Sequence, residues 1–298
     1  MVAEGAQSVI RRQGAQVGEV NEGLSGTPAG SSSGSGRAVL GTPGPAARIT
    51  TELPVALVTG ASSGIGRATA LRLAALGWYP LLSGTDPERL TEIARLTGGH
   101  AMAGDLCRPD GPDRLASWAQ AATGRVDVLI ANAGVGWRGP FAGMPPDVLE
   151  RMITLNLIAP LQLARLLLPG MTARGSGRIV LVGSIAGAVG VGEEAVYTAT
   201  KAALGMFAES LRYELRGTGV RVSVVLPGVV DTPFFRRRGS PYDRAWPRAV
   251  TPERVADTIV AGITGRRDRL FVPWWLRVPE RVHGVAPGLF ERLAARFG

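Results

Sequence analysis

A short apolar stretch, followed at once by a glycine-rich turn and a helical pattern, constrains the fold more than any other part of this 298-residue chain. Residues 55–59 read Val-Ala-Leu-Val-Thr, and this apolar, β-branched composition is typical of a buried strand. Glycines follow at positions 60, 64 and 66, and small and apolar residues then recur at helical spacing up to Leu76. A strand, a glycine turn and a helix in this order predict the first βα unit of a parallel sheet.

Strand and helix patterns alternate along the rest of the chain. Strands are predicted at 55–59, 79–83, 100–103, 126–131, 178–182, 220–225 and 270–272, and helices at 64–76, 87–96, 110–122, 146–171, 194–216 and 252–264. This alternation predicts an α/β fold, a single doubly wound (Rossmann-like) parallel sheet of about seven strands with helices on both faces. Within the fourth helix, Pro160 should cause a kink and Pro169 should end the helix.

The glycine turn also has the composition of a phosphate site. Glycine lets the backbone approach a ligand closely, and a helix N-terminus presents unpaired N–H groups at the positive end of its dipole. The spacing Gly-x-x-x-Gly-x-Gly is a variant of the usual dinucleotide-binding Gly-x-Gly-x-x-Gly. By itself such a turn is equally compatible with a tight corner, so its interpretation depends on residues downstream.

Tyr197 and Lys201 lie four residues apart on a predicted helix and therefore share one face. Lys201 is the only lysine in the sequence, in which every other strong base is arginine. A cation about 4 Å from a phenol, at an effective dielectric of about 20, favours the phenolate by roughly 4 kcal/mol, or about three pKa units. We therefore expect Lys201 to lower the pKa of Tyr197 enough for proton exchange near neutral pH.

Ser184 follows the strand predicted at 178–182 and so stands at the carboxyl edge of the sheet, where open α/β sheets bind ligands. Each candidate residue has a plain alternative role. Ser184 could cap a turn, Asn156 could be a satisfied buried amide, and Tyr197 could be a half-buried helix residue. Their joint occurrence with the glycine turn favours an active site.

With these residues in place, the chain resembles the short-chain dehydrogenase/reductase family over about residues 54–233. The resemblance implies four catalytic residues. Ser184 would polarise a substrate carbonyl and Tyr197 would exchange a proton with it. Lys201 would lower the Tyr197 pKa and hold ribose hydroxyls, and Asn156 would position a water that connects Lys201 to solvent.

The resemblance also implies a nicotinamide-dinucleotide site. In this site Asp105 would hold the adenine amino group, Asn132 would stabilise the sheet within an Asn-Ala-Gly motif, and the loop that starts at Pro227 would receive the nicotinamide carboxamide. The cofactor-binding residues implied in this way are Gly60, Ser62, Ser63, Gly64, Ile65, Gly66, Thr85, Asp105, Leu106, Asn132, Ala133, Gly134, Tyr197, Lys201, Pro227, Gly228, Val230 and Thr232.

The end of the second predicted strand bears on the choice of cofactor. Enzymes that use NAD place a carboxylate there, and that position falls on Gly84, with Asp86 two residues late. The position at which NADP-preferring relatives carry arginine is Thr85. The missing carboxylate predicts NADP(H) over NAD(H), with Ser83, Thr85 and Arg67 available to the 2′-phosphate.

Composition divides the chain into three regions. Residues 1–54 are rich in Gly, Ser, Ala and Pro and have no apolar period, so we expect a disordered extension without a secretory signal, or a wrongly assigned upstream start. Residues 55–275 are expected to form the catalytic domain, with a lid at 232–250. Residues 276–298 are expected to form a basic amphipathic tail.

The lid and the tail each allow two interpretations. Phe234, Phe235 and Trp246 could close over an apolar substrate while Arg236–Arg238 attract an anionic group, or the segment could be a solvated loop. In the tail, one helical face is apolar, and packing on its own domain or on a second subunit is favoured over an anionic membrane surface. This face consists of Leu289, Phe290, Leu293 and Phe297.

Charge and cysteine content exclude several classes of function. The net charge of +9 lies mostly in residues 234–298 but accompanies no recognition motif, so no nucleic-acid partner is expected. With Cys107 as the single cysteine and only two histidines, no disulfide and no metal site are expected. No apolar run reaches the roughly 18 residues that span a bilayer. We therefore expect a cytoplasmic protein, with peripheral membrane contact as the alternative.

The sequence thus predicts an NADP(H)-preferring oxidoreductase that interconverts a carbonyl and a secondary alcohol, with a hydrophobic or amphiphilic small-molecule substrate. A 3-oxoacyl-carrier-protein reductase and a non-catalytic, cofactor-bound sensor or scaffold remain alternatives. A homodimer or homotetramer is expected from the resemblance alone.

Overall fold

The computed structural model describes residues 49, 51–242, 247–265, 267–288, 290 and 292. Most of the predicted extension, residues 1–48 and 50, lies outside the described residues. The folded domain begins before the predicted boundary at residue 55, because the Ile49 amide donates a hydrogen bond of 2.7 Å to the Ala122 carbonyl. The Ile49 side chain packs against the core, and burial of this apolar residue attaches Ile49 to the domain.

The described residues form seven strands and nine α-helices in alternation. The strands are β1 Val55–Thr59, β2 Tyr79–Gly84, β3 His100–Ala103, β4 Val128–Ala131, β5 Gly177–Val182, β6 Val220–Pro227 and β7 Arg269–Val272. The helices are α1 Gly64–Ala75, α2 Pro87–Thr97, α3 Gly111–Thr123, α4 Pro146–Ile153, α5 Ala159–Ala173, α6 Ala195–Glu214, α7 Phe234–Arg237, α8 Pro252–Thr264 and α9 Arg277–Val285. The predicted strands are confirmed to within two residues at either end, whereas α7 and α9 were not predicted.

All seven strands pair in parallel, in the order β3-β2-β1-β4-β5-β6-β7. Neighbouring residues of a strand face opposite layers, so Leu57 packs with Leu163 and Leu204 on one side, and Val58 packs with Leu73 and Ile259 on the other. The predicted doubly wound sheet with helices on both faces is confirmed. The chain changes winding direction between β1 and β4, which opens a crevice at the carboxyl ends of these strands.

The prediction that Pro169 ends the fourth helix is wrong. A π-helical segment, Thr154–Ile158, joins α4 to α5, and α5 continues past Pro169 to Ala173. Pro169 faces solvent, where water can hydrate the carbonyl that loses its hydrogen bond, and Met171 is fully buried in the core. Burial of Met171 therefore holds the last turn in place. Pro160 lies at the start of α5, where the helical geometry changes at the π segment.

Among the described helices, only the run Pro146–Ala173 is long and apolar enough by composition to cross a membrane. This finding differs from the sequence expectation because it rests on the mean hydropathy of the helix, whereas the expectation rested on an uninterrupted apolar run. The inward residues of the run, such as Leu163, Leu167 and Met171, belong to the core layer against the sheet. The run is therefore a core helix of this domain.

Candidate active site

A single cavity of about 1320 Å³ opens at the carboxyl edge of the sheet and extends from the end of β2, across β1 and β4, to the loops after β5 and β6. This volume exceeds the range of about 300–1,000 Å³ for a site that holds one drug-sized ligand, so it has room for a dinucleotide together with a substrate. All predicted catalytic and cofactor residues line the cavity except Gly66 and Asn156, which lie directly behind its wall.

The glycine turn has the geometry of a dinucleotide cradle. Gly60 and Gly64 have positive φ angles of 66° and 54°, which disfavour other residues. A Cβ on Gly66 would lie 2.2 Å from the Gly60 carbonyl oxygen, so the first turn of α1 can pack this closely only with glycine. The residues therefore fit the phosphates of a dinucleotide, with the backbone N–H groups at the start of α1 as donors.

Asn132 connects the ends of the two strands that flank the crevice. Its side-chain amide donates to the Thr59 carbonyl at 2.9 Å, and the backbone N–H groups of Asn132 and Ala133 each donate to the Thr59 hydroxyl at 3.0 Å. These bonds hold the ends of β1 and β4 together beneath the cradle.

At the predicted adenine end, Asp105 is already engaged by the protein. It accepts a backbone hydrogen bond from Cys107 at 2.9 Å and pairs with Arg151 at 3.1 Å. Burial acts to raise the pKa of Asp105, but the bonds from Cys107 and Arg151 outweigh it and hold the pKa below its usual value. An ionised carboxylate retains acceptor sites for an adenine amino group.

Arg67, which was also expected near the 2′-phosphate, is not among the residues that line the cavity. Arg89, in the first turn of α2, lines it instead, together with Thr85 and Asp86. Asp86 caps α2 by accepting from the Arg89 amide at 3.0 Å, and its other oxygen pairs with the Arg89 guanidinium at 3.2 Å. Asp86, which comes two residues after the expected carboxylate position, therefore caps α2 and pairs with Arg89 beside the predicted ribose site.

Ser184 and Tyr197 both line the cavity, and the Ser184 hydroxyl acts to lower the pKa of Tyr197. Ser184 also caps the short turn after β5, since its hydroxyl accepts from the Ala186 amide at 3.1 Å. Ser184 therefore caps a turn, as the alternative interpretation proposed, and also lies at the position predicted for the catalytic serine. Tyr197 lies in the first turn of α6, which places its hydroxyl beside the carboxyl end of β5.

The predicted lowering of the Tyr197 pKa by Lys201 is not found. Burial, the largest influence, raises the pKa of Tyr197 to about 12, and the nearby charges that act on it are those of Glu194 and Arg238. Lys201 is only 5% exposed, and burial lowers its pKa to about 8. Its Nζ donates to the Val182 carbonyl at 2.9 Å and lies 5.8 Å from the centre of the Tyr197 ring. In a buried pair, desolvation favours the neutral form of each group, and here it exceeds their mutual attraction.

Asn156 is placed by the π segment and is fully bonded to protein. Its Oδ1 accepts from the Val135 amide and its Nδ2 donates to the Val135 carbonyl, both at 2.9 Å. Asn156 and Lys201 both lie near Gly134, where a Cβ would be 3.1 Å from Asn156 Oδ1 and 3.5 Å from Lys201 Nζ. Asn156 thus clamps the loop after β4 next to Lys201, and its role in a water relay stays a prediction.

Beyond Tyr197 the cavity wall is mainly aromatic and aliphatic. Tyr197, Phe234, Phe235 and Tyr242 form a continuous row, with successive ring centroids 5.6, 5.5 and 5.6 Å apart. Phe234 rests on Gly136, where a Cβ would lie 2.5 Å from the ring. Val189 and Val191, in the loop before α6, line the same part of the cavity.

Of the predicted lid, residues 232–242 and 247–250 are described, and Trp246 lies outside the described residues. The arginine triplet does not form one anion-binding face, because its three side chains point in different directions. Arg238 forms a buried ion pair with Glu194, Arg237 donates to the Ser63 hydroxyl at 3.0 Å, and Arg236 is exposed. Helical placement in α7 separates side chains that are adjacent in the sequence.

The tail contributes Phe290, which lines the cavity and packs edge-to-face on His283 at 5.1 Å. His283 belongs to the same tail, so packing of the tail on its own domain or on a second subunit stays a prediction. Leu289, Leu293 and Phe297 lie outside the described residues. Sequence reasoning missed Phe290 and Arg89 as lining residues, because no local pattern shows that these segments reach the cavity.

This fold and site define a nicotinamide-dinucleotide-dependent oxidoreductase. Residues 54–243 match the short chain dehydrogenase family model. An uncharacterized oxidoreductase of Myxococcus xanthus is 34% identical over 81% of this chain and 96% of its own length. A putative ketoacyl reductase of the granaticin polyketide synthase of Streptomyces violaceoruber is 37% identical over 73% of this chain and 80% of its own length. The structure of a short-chain dehydrogenase from Sphingobium yanoikuyae in complex with NADPH is 31% identical, with a TM-score of 0.72 over 80% of this chain and 95% of that chain. The chain belongs to the short-chain dehydrogenase/reductase family.

Proposed function

We propose that this protein reduces a hydrophobic or amphiphilic ketone to a secondary alcohol with NADPH, and that Tyr197 supplies the proton. The observation that carries the proposal is the convergence of Ser184, Tyr197 and Lys201 in one cavity that also contains the dinucleotide cradle. In the reductive direction Tyr197 acts as the acid, and its raised pKa of about 12 keeps it protonated at neutral pH.

The cofactor, when bound, supplies the hydride. The Ser184 hydroxyl would donate a hydrogen bond to the substrate oxygen, and Tyr197 would transfer its proton to that oxygen as negative charge develops there. Lys201 would hold ribose hydroxyls with the donors that its bond to Val182 leaves free, and its charge would favour the phenolate left behind. The hydrophobic wall around Phe234 would exclude water from the reacting carbonyl.

The apolar character of the wall supports the proposed substrate class. Beside the aromatic row, the charges of Arg238 and Glu194 neutralise each other in a buried ion pair, and Arg138 pairs with Glu193. We therefore expect kcat/KM for a series of methyl ketones to rise by about fourfold with each added methylene until the apolar part of the cavity is filled, since one buried methylene contributes about 0.8 kcal/mol. NADPH oxidation followed by absorbance measures this series. A preference for short polar ketones would contradict the proposed substrate class.

A 3-oxoacyl thioester on a carrier protein is a second candidate, favoured by the ketoacyl reductase name of the Streptomyces relative. In the described part of the lid, the exposed arginines that could meet an acidic carrier are Arg236, Arg237 and Arg248. Comparing a 3-oxoacyl thioester on the carrier with the same acyl group on a small thiol distinguishes the two functions. A carrier substrate should have a kcat/KM at least about tenfold higher if the carrier is recognised, and an equal value would favour the small molecule.

We propose NADP(H) as the preferred cofactor, supported by Arg89 at the adenosine end and by the NADPH bound to the Sphingobium relative. Arg89→Leu should lower kcat/KM for NADPH by about tenfold and leave the value for NADH nearly unchanged, since only NADPH carries a 2′-phosphate. Arg67→Leu, which removes the same charge outside the cavity, is the matched control. An equal effect of Arg89→Leu on both cofactors, or a wild-type preference for NADH, would overturn the assignment.

A further inference from the structure

Arg237 lies at the junction between the lid and the phosphate cradle. It is the last residue of α7, and its Nη2 donates to the hydroxyl of Ser63, which directly precedes the first residue of α1. The two segments also touch at Thr232, whose Cγ2 lies 3.0 Å from the position that a Cβ on Gly64 would take. The guanidinium therefore lies over the end of α1 at which the dinucleotide phosphates are expected.

The contact made by Arg237 leaves most of its binding capacity unused. Within the described residues, Arg237 has a neutral hydroxyl as its side-chain partner and no carboxylate. A guanidinium has five N–H donors, and paired N–H groups bind phosphate oxygens in a planar fork. Ser63 does not cap α1 with its side chain, so its hydroxyl stays oriented toward the lid. The Arg237 guanidinium of the lid therefore lies next to the predicted phosphate site at the start of α1.

The opposite side of α7 is anchored without any ligand. Arg238 and Glu194 form an ion pair in which the side chains are only 5% and 12% exposed, and Glu194 directly precedes α6, which carries Tyr197. Arg238 also stacks on the Phe235 ring at 4.5 Å. The lid helix is thus attached to the residue before the catalytic helix by a buried ion pair, whereas its hydrogen bond to the cradle is made to a neutral hydroxyl.

We propose that Arg237 binds a phosphate group of the dinucleotide and that this contact holds the lid closed over the substrate part of the cavity. The inference rests on the proposed use of a nicotinamide dinucleotide. Its consequence is that the bound cofactor holds the lid segment at Phe234 more firmly and so stabilises the apolar wall against which the substrate packs. The pyrophosphate and the 2′-phosphate offer the same chemistry, and comparing NADPH with NADH separates them.

The test compares Arg237→Met with Arg236→Met, which removes the same charge from the same helix at an exposed side chain. Dissociation constants for NADPH and NADH are measured by fluorescence titration without substrate. Arg237→Met should weaken binding about tenfold, because it removes a charge-assisted hydrogen bond, and Arg236→Met should bind like the wild type. Weakening for both cofactors assigns the pyrophosphate, and weakening for NADPH alone assigns the 2′-phosphate. Wild-type affinity of Arg237→Met for both cofactors would overturn the proposal.

Hydrogen exchange of residues 234–242 tests the coupling to the lid. Saturating NADPH should slow exchange there in the wild type and in Arg236→Met but not in Arg237→Met, with unchanged exchange in β1 and β5 as the control for folding. Equal protection of the lid in all three proteins would refute the coupling. If the wild type binds neither cofactor, the proposed function itself fails, whereas an Arg237→Met protein that behaves like a cofactor-binding wild type rejects only the role of Arg237.

Discussion

Tyr197→Phe should lower kcat for ketone reduction by about 10³-fold, because it removes the one hydroxyl that can give its proton to the substrate oxygen. The ring is retained, so its contact with Phe234, 5.6 Å between centroids, should persist. The dissociation constant for NADPH should change little, since the cradle and Lys201 are intact. Steady-state kinetics and a fluorescence titration of the same protein preparation measure both quantities.

Tyr213→Phe is the matched control, since it removes a hydroxyl from an exposed tyrosine of the same helix α6. It should have wild-type activity. If Tyr197→Phe reduces ketones at the wild-type rate, Tyr197 is not the proton donor. If the wild-type protein binds NADPH tightly and turns over no carbonyl compound, the protein is a cofactor-bound sensor or scaffold, the alternative that sequence reasoning left open.

Lys201→Met should abolish turnover and yet stabilise the fold at neutral pH. Burial of Lys201 lowers its pKa from 10.5 to about 8, and a displacement of this size corresponds to a cost of about 3 kcal/mol for holding the charged amine inside the protein. Methionine fills a similar volume without charge. The variant loses the hydrogen bond to the Val182 carbonyl, and this loss costs about 1 kcal/mol. The net gain in the free energy of unfolding should therefore be about 2 kcal/mol. Urea unfolding of both proteins at pH 7 measures it.

The pH dependence of this difference identifies its cause. Below pH 8 Lys201 is charged in the folded and unfolded states, so the cost of burial is fully present. Between pH 8 and 10.5 the folded protein releases its proton while the unfolded chain retains it, so the stability of the wild type rises relative to Lys201→Met. The advantage of the variant should therefore shrink across this window, and above it the wild type should be the more stable protein by the roughly 1 kcal/mol of its bond to the Val182 carbonyl. A difference that is constant with pH would show that packing, and not the buried charge, is responsible.

Because the chain has one lysine, its protonation can also be observed directly. Protein labelled with ¹⁵N-lysine should give a single side-chain Nζ resonance that titrates with a midpoint of about 8. A midpoint near the ordinary value of 10.5 would contradict the effect of burial, and the expected stabilisation by Lys201→Met would fail with it.

Local patterns in the sequence predicted the fold and most of the site. β1, the glycine turn and α1 are consecutive in the chain, and their spacing defines both the βα unit and the cradle, so no distant information is needed. Tyr197 and Lys201 are likewise related by one helical turn. The prediction for Pro169 failed because burial of Met171, a tertiary contact, outweighs the local preference of proline.

What the sequence by itself determined was the parallel sheet, the cradle at its carboxyl edge and the identity of the catalytic candidates, because each depends on the type and spacing of neighbouring residues. Only the tertiary structure decided their electrostatics and their more distant partners. The pKa of Tyr197 depends on how deeply its hydroxyl is buried, and the direction taken by each of Arg236–Arg238 depends on where α7 meets Ser63 and Glu194. Burial and contacts between distant residues arise only when the chain folds. For this reason the sequence pattern predicted the reacting residues but not the charged groups that act on them.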